Sequence, residues 1–262
     1  MPKCLVSDII NGSICVFYER MGEERVSYYL AVPYLCAMQQ QFGFIFDMDG
    51  TMIDNMMVHH RAWQQILAEY GLPLNLDEVR RTIHGKNEQI LRRLFGDRFS
   101  SEQYTAMAFE KEARYRAVFK DELALVAGLM PFLQTAHDLG IPMGIGTAAP
   151  PENVQFVLEN LPIRPFFKTV VDASQVILGK PDPQVFRLVA EGMGVPIGAC
   201  IVFEDSPTGV ETAFRAGCPA VVVLTTHRRD EFERFPNVLC FVDDFTEIGV
   251  RLQNLLRSVR DA

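Results

Sequence analysis

From residue 42 onward, short apolar runs alternate with amphipathic stretches, and this alternation restricts the fold more than any other feature of the chain. Continuous apolar runs are typical of strands buried in a parallel sheet, whereas the stretches between them place apolar residues at helical spacing. Strands are predicted at 42–46, 141–147, 169–172, 199–204, 220–224 and 239–242. Helices are predicted at 130–139, 152–161, 183–193, 208–216 and 246–259. This order predicts an α/β fold built on a doubly wound, mostly parallel sheet.

The stretch between residues 56 and 124 breaks the alternation, because it carries consecutive helical patterns and no convincing strand. Its helices are predicted at 58–70, 76–82, 87–95 and 101–119. A helical run of this length after the first strand of the sheet indicates a small inserted domain. We therefore expect a core of residues 41–55 and 125–262, interrupted by a helical insert at 56–124.

The first 40 residues differ from the rest of the chain. They contain three of the six cysteines and, at residues 26–36, a run that fits a strand or two, but no motif with chemical meaning. Two interpretations stay open for this N-terminal extension. Either Met38 is the natural start of the protein, or the extension is a genuine N-terminal hairpin that packs on the core.

Composition and charge narrow the classes of function. With 48% hydrophobic and 22% charged residues, the chain has the composition of an ordinary globular protein with a sizeable core. Its net charge of -8 disfavours nonspecific nucleic-acid binding, which needs clustered Lys and Arg. No apolar run is long enough to span a bilayer and the N-terminus lacks a leader pattern, so we expect a cytoplasmic protein without a membrane partner. No cysteines have CxxC spacing, which favours buried free thiols.

The main chemical signal is a pair of carboxylates, Asp47 and Asp49, directly after the first apolar run. Ligands of open α/β sheets bind at the carboxyl ends of the strands. Two carboxylates so close together repel each other unless a cation neutralises them, and Mg²⁺ prefers a few carboxylates plus water and phosphate oxygens. A solvated Asp-Gly turn, with Gly50 as the turn residue, is the alternative interpretation of this motif when it stands alone.

A second acidic pair, Glu204 and Asp205, follows the apolar run at 199–203. Ser206 and Pro207 come next and are typical of a helix N-cap and first turn. The acids could therefore serve only the helix dipole. Two acidic pairs at the ends of two separate buried strands nevertheless favour a metal site more than either pair does alone.

Two further positions complete the set. Lys180 lies in a Pro-bounded loop before a predicted helix, where it could balance the carboxylates and a bound phosphate. Thr147 ends a predicted strand, and its hydroxyl, with the N–H groups of Ala148 and Ala149, could bind a phosphate oxygen. Taken singly, a loop lysine is usually a surface residue and a strand-end threonine is weak support.

In this order the four signals resemble the motifs of the haloacid dehalogenase-like superfamily, over roughly residues 42–245. The residues similar to its first, second, third and fourth motifs are, in turn, 47–51, Thr147, Lys180 and 204–205. The resemblance implies a Rossmann-like core and identifies the insert as the family's α-helical cap. Residues 47–54, 59–63 and 203–209 look most like the β-phosphoglucomutase-type branch, which includes sugar-phosphate phosphatases as well as mutases.

The resemblance also implies a mechanism. Asp47 attacks phosphorus and becomes an aspartyl phosphate, while Asp49 protonates the leaving oxygen and then deprotonates the acceptor. Dehalogenases and phosphonatases of the superfamily lack an acid at the place of Asp49, so its presence favours phosphate-ester chemistry. Thr147 with Ala148, and Lys180, would bind the transferring phosphoryl group and stabilise its charge.

The same resemblance implies a Mg²⁺ cofactor. Its expected ligands are Asp47, the backbone carbonyl of Asp49, Asp205, and Glu204 either directly or through water. The expected partner is a small phosphorylated metabolite such as a sugar phosphate, and no obligate protein partner is indicated.

The insert should decide whether water or a sugar hydroxyl accepts the phosphoryl group. His59 matches a mutase histidine that supports proton control at the general acid, although a hinge-packing role is an equal alternative. The segment containing His84 and Lys86 matches the mutase specificity loop, but Glu88 stands where mutases carry an arginine that grips a second phosphate. Lys86, Lys111 or Arg114 could compensate, although solvated helix charges are the simpler interpretation for each taken singly.

Three hypotheses follow from these observations. Glu88 favours a phosphatase, because a glutamate would repel the second phosphate of a bisphosphate intermediate. A β-phosphoglucomutase-type sugar phosphomutase is the alternative. A non-catalytic phosphate-binding protein is the third hypothesis, and it is disfavoured because every motif residue is present.

Overall fold

The computed structural model describes residues 5–10, 14–21, 24–31, 42–83, 87–246 and 248. The chain divides into two compact units, Met1–Gln41 and Phe42–Ala262. In the first unit, strands β1 (Leu5–Ile10), β2 (Ile14–Met21) and β3 (Glu24–Ala31) form an antiparallel sheet in the order β1-β2-β3. The sequence pattern predicted at most two strands, within residues 26–36, so β1 and β2 are additions to that prediction.

The second unit contains a six-stranded sheet in the order β6-β5-β4-β7-β8-β9, and every pair in it is parallel. The strands are β4 (Gly43–Phe46), β5 (Met143–Gly146), β6 (Thr169–Val171), β7 (Cys200–Glu204), β8 (Ala220–Val223) and β9 (Val238–Val242). All six had been predicted, and their ends shift by no more than about two residues, which is the usual uncertainty of strand and helix boundaries. Strand β4 lies in the middle of the sheet, between β5 and β7.

Helices cover both faces of this sheet, which confirms the doubly wound prediction. They are α5 (Leu129–Asp138), α6 (Pro151–Asn160), α7 (Gln184–Met193) and α8 (Pro207–Ala216), numbered after the four helices of the insert. Phe44 and Phe46 of β4 pack in one hydrophobic cluster with α5 and α6. Ile45 points the other way, into a second cluster with α7 and α8. The alternation along one strand thus builds two cores. The helix predicted at 246–259 lies almost entirely outside the described residues.

Four helices follow β4 before the sheet resumes: α1 (Met56–Glu69), α2 (Leu76–Thr82), α3 (Asn87–Phe95) and α4 (Ser101–Phe119). They share a small core of their own, in which Trp63, Ile66 and Leu67 of α1 meet Ile90 of α3 and Tyr104 of α4. The N-termini of α2 and α4 are set by local capping. Asn75 and Ser100 each form a capping box with the residue three positions later in the sequence. A helical insert with a core of its own is therefore present, while its limits at 56 and 124 and its identity as a cap remain predictions.

The two ends of the insert meet each other. Ile53 forms an isolated antiparallel bridge with Leu125, and the N–H of Val126 donates to the carbonyl of Met52 at 2.9 Å. The chain thus leaves the core and returns to it at one hydrogen-bonded point beside the end of β4.

Two expectations from the sequence concern these elements: the lack of a membrane-spanning helix and the burial of free thiols. Although α4 has 19 residues, neither it nor another helix in the described ranges combines the length and apolar character needed to cross a bilayer. Cys200 and Cys218 are buried thiols, as predicted, and burial raises the pKa of each to about 12.

Candidate active site

The carboxyl edge of the sheet brings together side chains that are far apart in the sequence. Asp47 follows β4 directly, Thr147 follows β5, and Glu204 is the last residue of β7. Since β5, β4 and β7 are parallel neighbours, these three residues lie at the same edge of the sheet. The loop between β6 and α7 adds Lys180 to the group.

Lys180 is the cation at the centre of this group. Its Nζ donates to Oδ1 of Asp47 at 2.5 Å and to Oε1 of Glu204 at 2.6 Å. Burial disfavours the charged ammonium, but the two carboxylates outweigh it and raise the pKa of Lys180 above its usual value. Lys180 therefore stays protonated and is held where it can face a phosphoryl group on Asp47. The solvated-loop interpretation of this lysine is wrong.

Three carboxylates crowd around that ammonium. Ligand oxygens of Asp47, Glu204 and Asp205 all lie within 4.8 Å of one another, and all three residues are buried. Burial raises the pKa of Asp47 to about 7 despite Lys180, and burial together with the charges of Glu204 and Asp47 raises the pKa of Asp205 well above its usual value. One lysine against three carboxylates leaves two negative charges, so this donor set fits a divalent cation of the Mg²⁺ type.

Glu204 has a different position in this cluster from the two aspartates. Its Oε1 accepts from Lys180, and its Oε2 accepts from the N–H of Asp205, the N–H of Ser206 and the hydroxyl of Ser206 at 3.0–3.1 Å. Each carboxylate oxygen offers about two lone-pair directions, so Oε2 is fully used by its three donors while Oε1 keeps one direction beside Lys180. Direct and water-mediated metal contact by Glu204 both stay predictions. Asp49 contributes no side-chain oxygen to the cluster, so its predicted backbone ligation stays a prediction.

Two glycines, which have no side chain, provide the space that the carboxylates of Glu204 and Asp205 occupy. A Cβ on Gly209, in the first turn of α8, would lie 1.7 Å from Oε1 of Glu204. A Cβ on Gly50 would lie 2.2 Å from Oδ2 of Asp205, and Gly50 also has a φ of +83°, which L side chains rarely adopt. Side chains at either position would displace the acids, so both glycines belong to the construction of the site.

Asp49 faces the insert instead of the metal cluster. Its Oδ1 accepts from Nδ2 of Asn55 at 2.6 Å, and the same amide nitrogen donates to the hydroxyl of Tyr115 at 2.5 Å. Burial raises the pKa of Asp49 to about 6, against the lowering effect of the Asn55 bond. A carboxyl that titrates near neutrality suits general acid and base work. Asn55 and Tyr115 were missed in the sequence, because 60 residues separate them.

His59 lies beside Asp49, while its role in proton control stays a prediction. Its Nε2 is 3.9 Å from Oδ2 of Asp49, its ring stacks on Tyr115 with centroids 3.8 Å apart, and its Nδ1 is 2.8 Å from Nζ of Lys111. Burial and the nearby Lys111 charge lower the pKa of His59 well below its usual value. The neutral ring thus accepts from Lys111 at Nδ1 and carries its proton on Nε2, on the side of Asp49.

Lys111 is buried, with 2% of its side chain exposed, so the solvated-charge interpretation is wrong for this residue. Its Nζ donates to Oε1 of Glu112 at 2.8 Å. Glu112 also accepts from Nδ2 of Asn87 on α3 at 2.6 Å and from Nδ2 of Asn153 on α6 at 2.7 Å. The network therefore ties the insert to the core and compensates the Lys111 charge. Direct substrate binding by Lys111 remains a prediction.

Thr147 is buried at the end of β5, and its Oγ1 accepts from the N–H of Ala149 at 3.1 Å. This N–H, which the sequence pattern directed towards a phosphate oxygen, orients the Thr147 hydroxyl instead. Ala148 is exposed in the same loop, which leaves it in a suitable place for the predicted phosphate contact. Phosphate binding by Thr147 and Ala148 stays a prediction.

The remaining predicted residues belong to the insert. His84 and Lys86 lie outside the described residues. Glu88 is exposed on α3 and accepts from the hydroxyl of Thr105 at 2.8 Å, so a helix-to-helix contact already uses its carboxylate. Arg114 pairs with Glu69 and Glu110 at 2.5 Å.

Comparison with known proteins agrees with this geometry. The family model described as haloacid dehalogenase-like hydrolase matches residues 43–217. Fructose-1-phosphate phosphatase YqaB of Escherichia coli is 32% identical over 181 residues, which cover 69% of this chain and 95% of that protein. Hexitol phosphatase A of the same organism is 32% identical, covering 69% of this chain and 82% of that protein.

Solved structures share the fold. A crystal structure of a family IA hydrolase from Entamoeba histolytica superposes with a TM-score of 0.76 at 24% identity, covering 84% of this chain and 99% of that one. A β-phosphoglucomutase from Clostridium difficile superposes with a TM-score of 0.73, at the same identity and coverage. Taken with the match of the family model and the relatives above 30% identity, these findings show that the chain belongs to the haloacid dehalogenase-like hydrolases.

Proposed function

We propose that the protein is a Mg²⁺-dependent phosphatase that acts on a small phosphorylated sugar through an aspartyl-phosphate intermediate. The observation that carries the proposal is the pairing of Lys180 with Asp47 beside Glu204 and Asp205, within reach of a separate acid, Asp49. Membership in a family of hydrolases supports the reaction class. The curated relatives named as fructose-1-phosphate, hexitol and phosphorylated-carbohydrate phosphatases support the substrate class.

The first half-reaction begins with substrate at the carboxyl edge of the sheet. An oxygen of Asp47 attacks phosphorus and the phosphorus bond to the ester oxygen breaks, while Asp49 delivers its proton to that leaving oxygen. Asp49 has a pKa of about 6, so an appreciable fraction holds this proton near neutrality. Lys180 and Thr147 stabilise the charge of the transferring group. Bound Mg²⁺, held by Asp47, Asp205 and the Asp49 carbonyl, would screen the phosphate oxygens from these carboxylates.

The second half-reaction releases phosphate. Asp49, now ionised, takes a proton from a water molecule, and the oxygen of that water attacks phosphorus on Asp47. The bond between phosphorus and the Asp47 oxygen breaks, which regenerates the carboxylate and leaves Asp49 protonated for the next turn. His59 and Asn55 hold Asp49 in place for both proton transfers.

A phosphomutase remains the second candidate, because mutase structures share this fold. It would need a cation on the insert for the second phosphate of a bisphosphate intermediate. Lys111 is paired with Glu112, and Arg114 is paired with Glu69 and Glu110. Because these two cations are already paired, they favour water over a sugar hydroxyl as the acceptor of the phosphoryl group. The mutase alternative then rests mainly on Lys86.

Phosphate release from a panel of sugar phosphates, including fructose 1-phosphate and hexitol phosphates, tests the proposal in the presence of Mg²⁺. We expect turnover that a chelator and Asp47→Asn each abolish, whereas Asp97→Asn, the same change at an exposed site, retains it. Isomerisation of β-glucose 1-phosphate to glucose 6-phosphate with little free phosphate would support the mutase instead. The absence of turnover across the panel would support a non-catalytic binding protein.

A further inference from the structure

The carboxylate of Asp205 is held at both oxygens by hydroxyl groups from different loops. Thr51, which is fully buried after β4, donates from Oγ1 to Oδ1 of Asp205 at 3.2 Å. Thr226, in the loop after β8, donates from Oγ1 to Oδ2. Because each carboxylate oxygen has a second lone pair, this arrangement fixes the plane of the carboxylate and leaves one direction on each oxygen for a metal ion.

The Thr226 hydroxyl has its own partner. Its Oγ1 lies 2.8 Å from Nδ1 of His227. A hydroxyl has only one proton, and Asp205 in the ionised form that would hold a metal ion can only accept. The Thr226 proton therefore goes to Asp205, and the His227 contact requires a proton on Nδ1. The His227 and Phe232 rings form a T-shaped pair with centroids 6.2 Å apart, and Phe232 is buried, so the His227 ring is held in this orientation.

The loop that carries Thr226 is also hydrogen-bonded to the first motif, residues 47–51. The hydroxyl of the preceding residue, Thr225, donates to the backbone carbonyl of Gly50. The loops after β4 and β8 are thereby joined across Asp205, which follows the strand between them. A hydroxyl reaches Asp205 from each side, although nothing in the sequence motifs pointed to the loop after β8.

We propose that Thr226, oriented by His227, is a positioning residue for the metal-binding carboxylate of Asp205. The inference rests on the proposed function in one respect, since it takes Asp205 as a ligand of Mg²⁺. Partners that orient a metal ligand usually change metal affinity by about 10–100-fold when they are removed. Thr226 acts before substrate binds, so its contribution is measurable without turnover.

The test compares Thr226→Val with Thr226→Ser. Valine keeps the shape of threonine and removes the hydroxyl, whereas serine keeps the hydroxyl. Calorimetric titration of the substrate-free protein with Mg²⁺ should show a dissociation constant raised about 10–100-fold for Thr226→Val and nearly restored for Thr226→Ser. Thermal unfolding in a chelator should be similar for all three proteins, which shows that the loss concerns the metal site. In assays, excess Mg²⁺ should recover most of the lost kcat.

His227 provides an independent comparison. In His227→Asn the side-chain amide can place an N–H near the position of Nδ1, whereas His227→Ala cannot. We expect weaker Mg²⁺ binding in the alanine variant and near-normal binding in the asparagine variant.

Wild-type Mg²⁺ affinity in Thr226→Val would overturn the inference and leave the phosphatase proposal intact. Failure of both Thr226→Ser and His227→Asn to restore binding would also overturn it, because it would indicate a purely structural role. A wild-type protein that binds no Mg²⁺ but turns over substrate overturns the inference and the metal dependence together, whereas a protein that binds Mg²⁺ and lacks turnover contradicts only the phosphatase proposal.

Discussion

Replacing Gly209 with alanine should destabilise the protein, although alanine is the better helix former. In the interior of a helix, replacing glycine with alanine usually raises the free energy of unfolding by up to about 1 kcal/mol. Here the added Cβ would lie 1.7 Å from Oε1 and 1.8 Å from Cδ of Glu204, too close for any small adjustment. Glu204 must therefore leave its place and lose its bonds to Lys180 and to the start of α8.

The magnitude follows from that displacement. Breaking a buried ion pair by removing one partner costs about 3–5 kcal/mol, so the net destabilisation of Gly209→Ala should be about 2–4 kcal/mol. For a unit of this size each kcal/mol lowers the melting temperature by about 2–4 °C. Lys180 would also lose one of its two carboxylate partners, so we expect phosphatase turnover to fall by at least about tenfold.

Chemical denaturation and phosphate release measure the two effects. Gly198→Ala is a matched control, since its Cβ would meet no atom within 4 Å, and we expect its stability to stay within about 0.5 kcal/mol of wild type. A Gly209→Ala protein as stable and as active as wild type would refute the steric reasoning and the placement of Glu204.

Metal-free protein should lose stability as the pH rises from about 4 to 7. The pKa of Asp47 is raised from 3.8 to about 7 in the folded state, so the folded state holds this proton more tightly than the unfolded state does over that pH range. Added Mg²⁺ should reverse this loss near pH 7, and urea denaturation that is flat with pH would contradict the burial argument. Lys111→Met should destabilise by about 3–5 kcal/mol by leaving Glu112 buried without its cation, and adding Glu112→Gln should recover part of the loss. A double-mutant cycle measures the coupling, and additive effects would rule it out. Gly50→Ala should weaken Mg²⁺ binding in a calorimeter, since its Cβ would overlap Asp205; unchanged binding would show that the loop adapts.

The periodicity of the sequence predicted the sheet and helices of the second unit well, because each apolar run is continuous and each helix has one apolar face. The sequence prediction missed β1 and β2, which lie in a stretch without a recognisable chemical motif. The turn signals Asn11-Gly12 and Gly22-Glu23, between apolar runs, could have indicated hairpin strands.

The candidate site was predictable where a residue type that carries chemistry directly follows a strand, as for Asp47 and Asp205, or stands in a Pro-bounded loop before a helix, as for Lys180. It was not predictable where a role depends on contacts across long stretches of chain. Asn55 was missed because its partner Tyr115 is 60 residues away, and Thr226 was missed because its contact with Asp205 crosses to another strand. Such residues have ordinary local environments, and only the fold shows what they touch.

The bridge between Ile53 and Leu125 has a consequence for how substrate preference can change. Because the insert starts and finishes at a single hydrogen-bonded point, its interior can lengthen, shorten or be exchanged with little effect on the entropy of closing the loop. The insert and the reaction centre are nevertheless linked, because His59, Lys111 and Tyr115 of the insert contact Asp49 or its partners. Grafting the insert of a relative with a known sugar preference between Ile53 and Leu125, with these three residues retained, would test whether the insert selects the substrate.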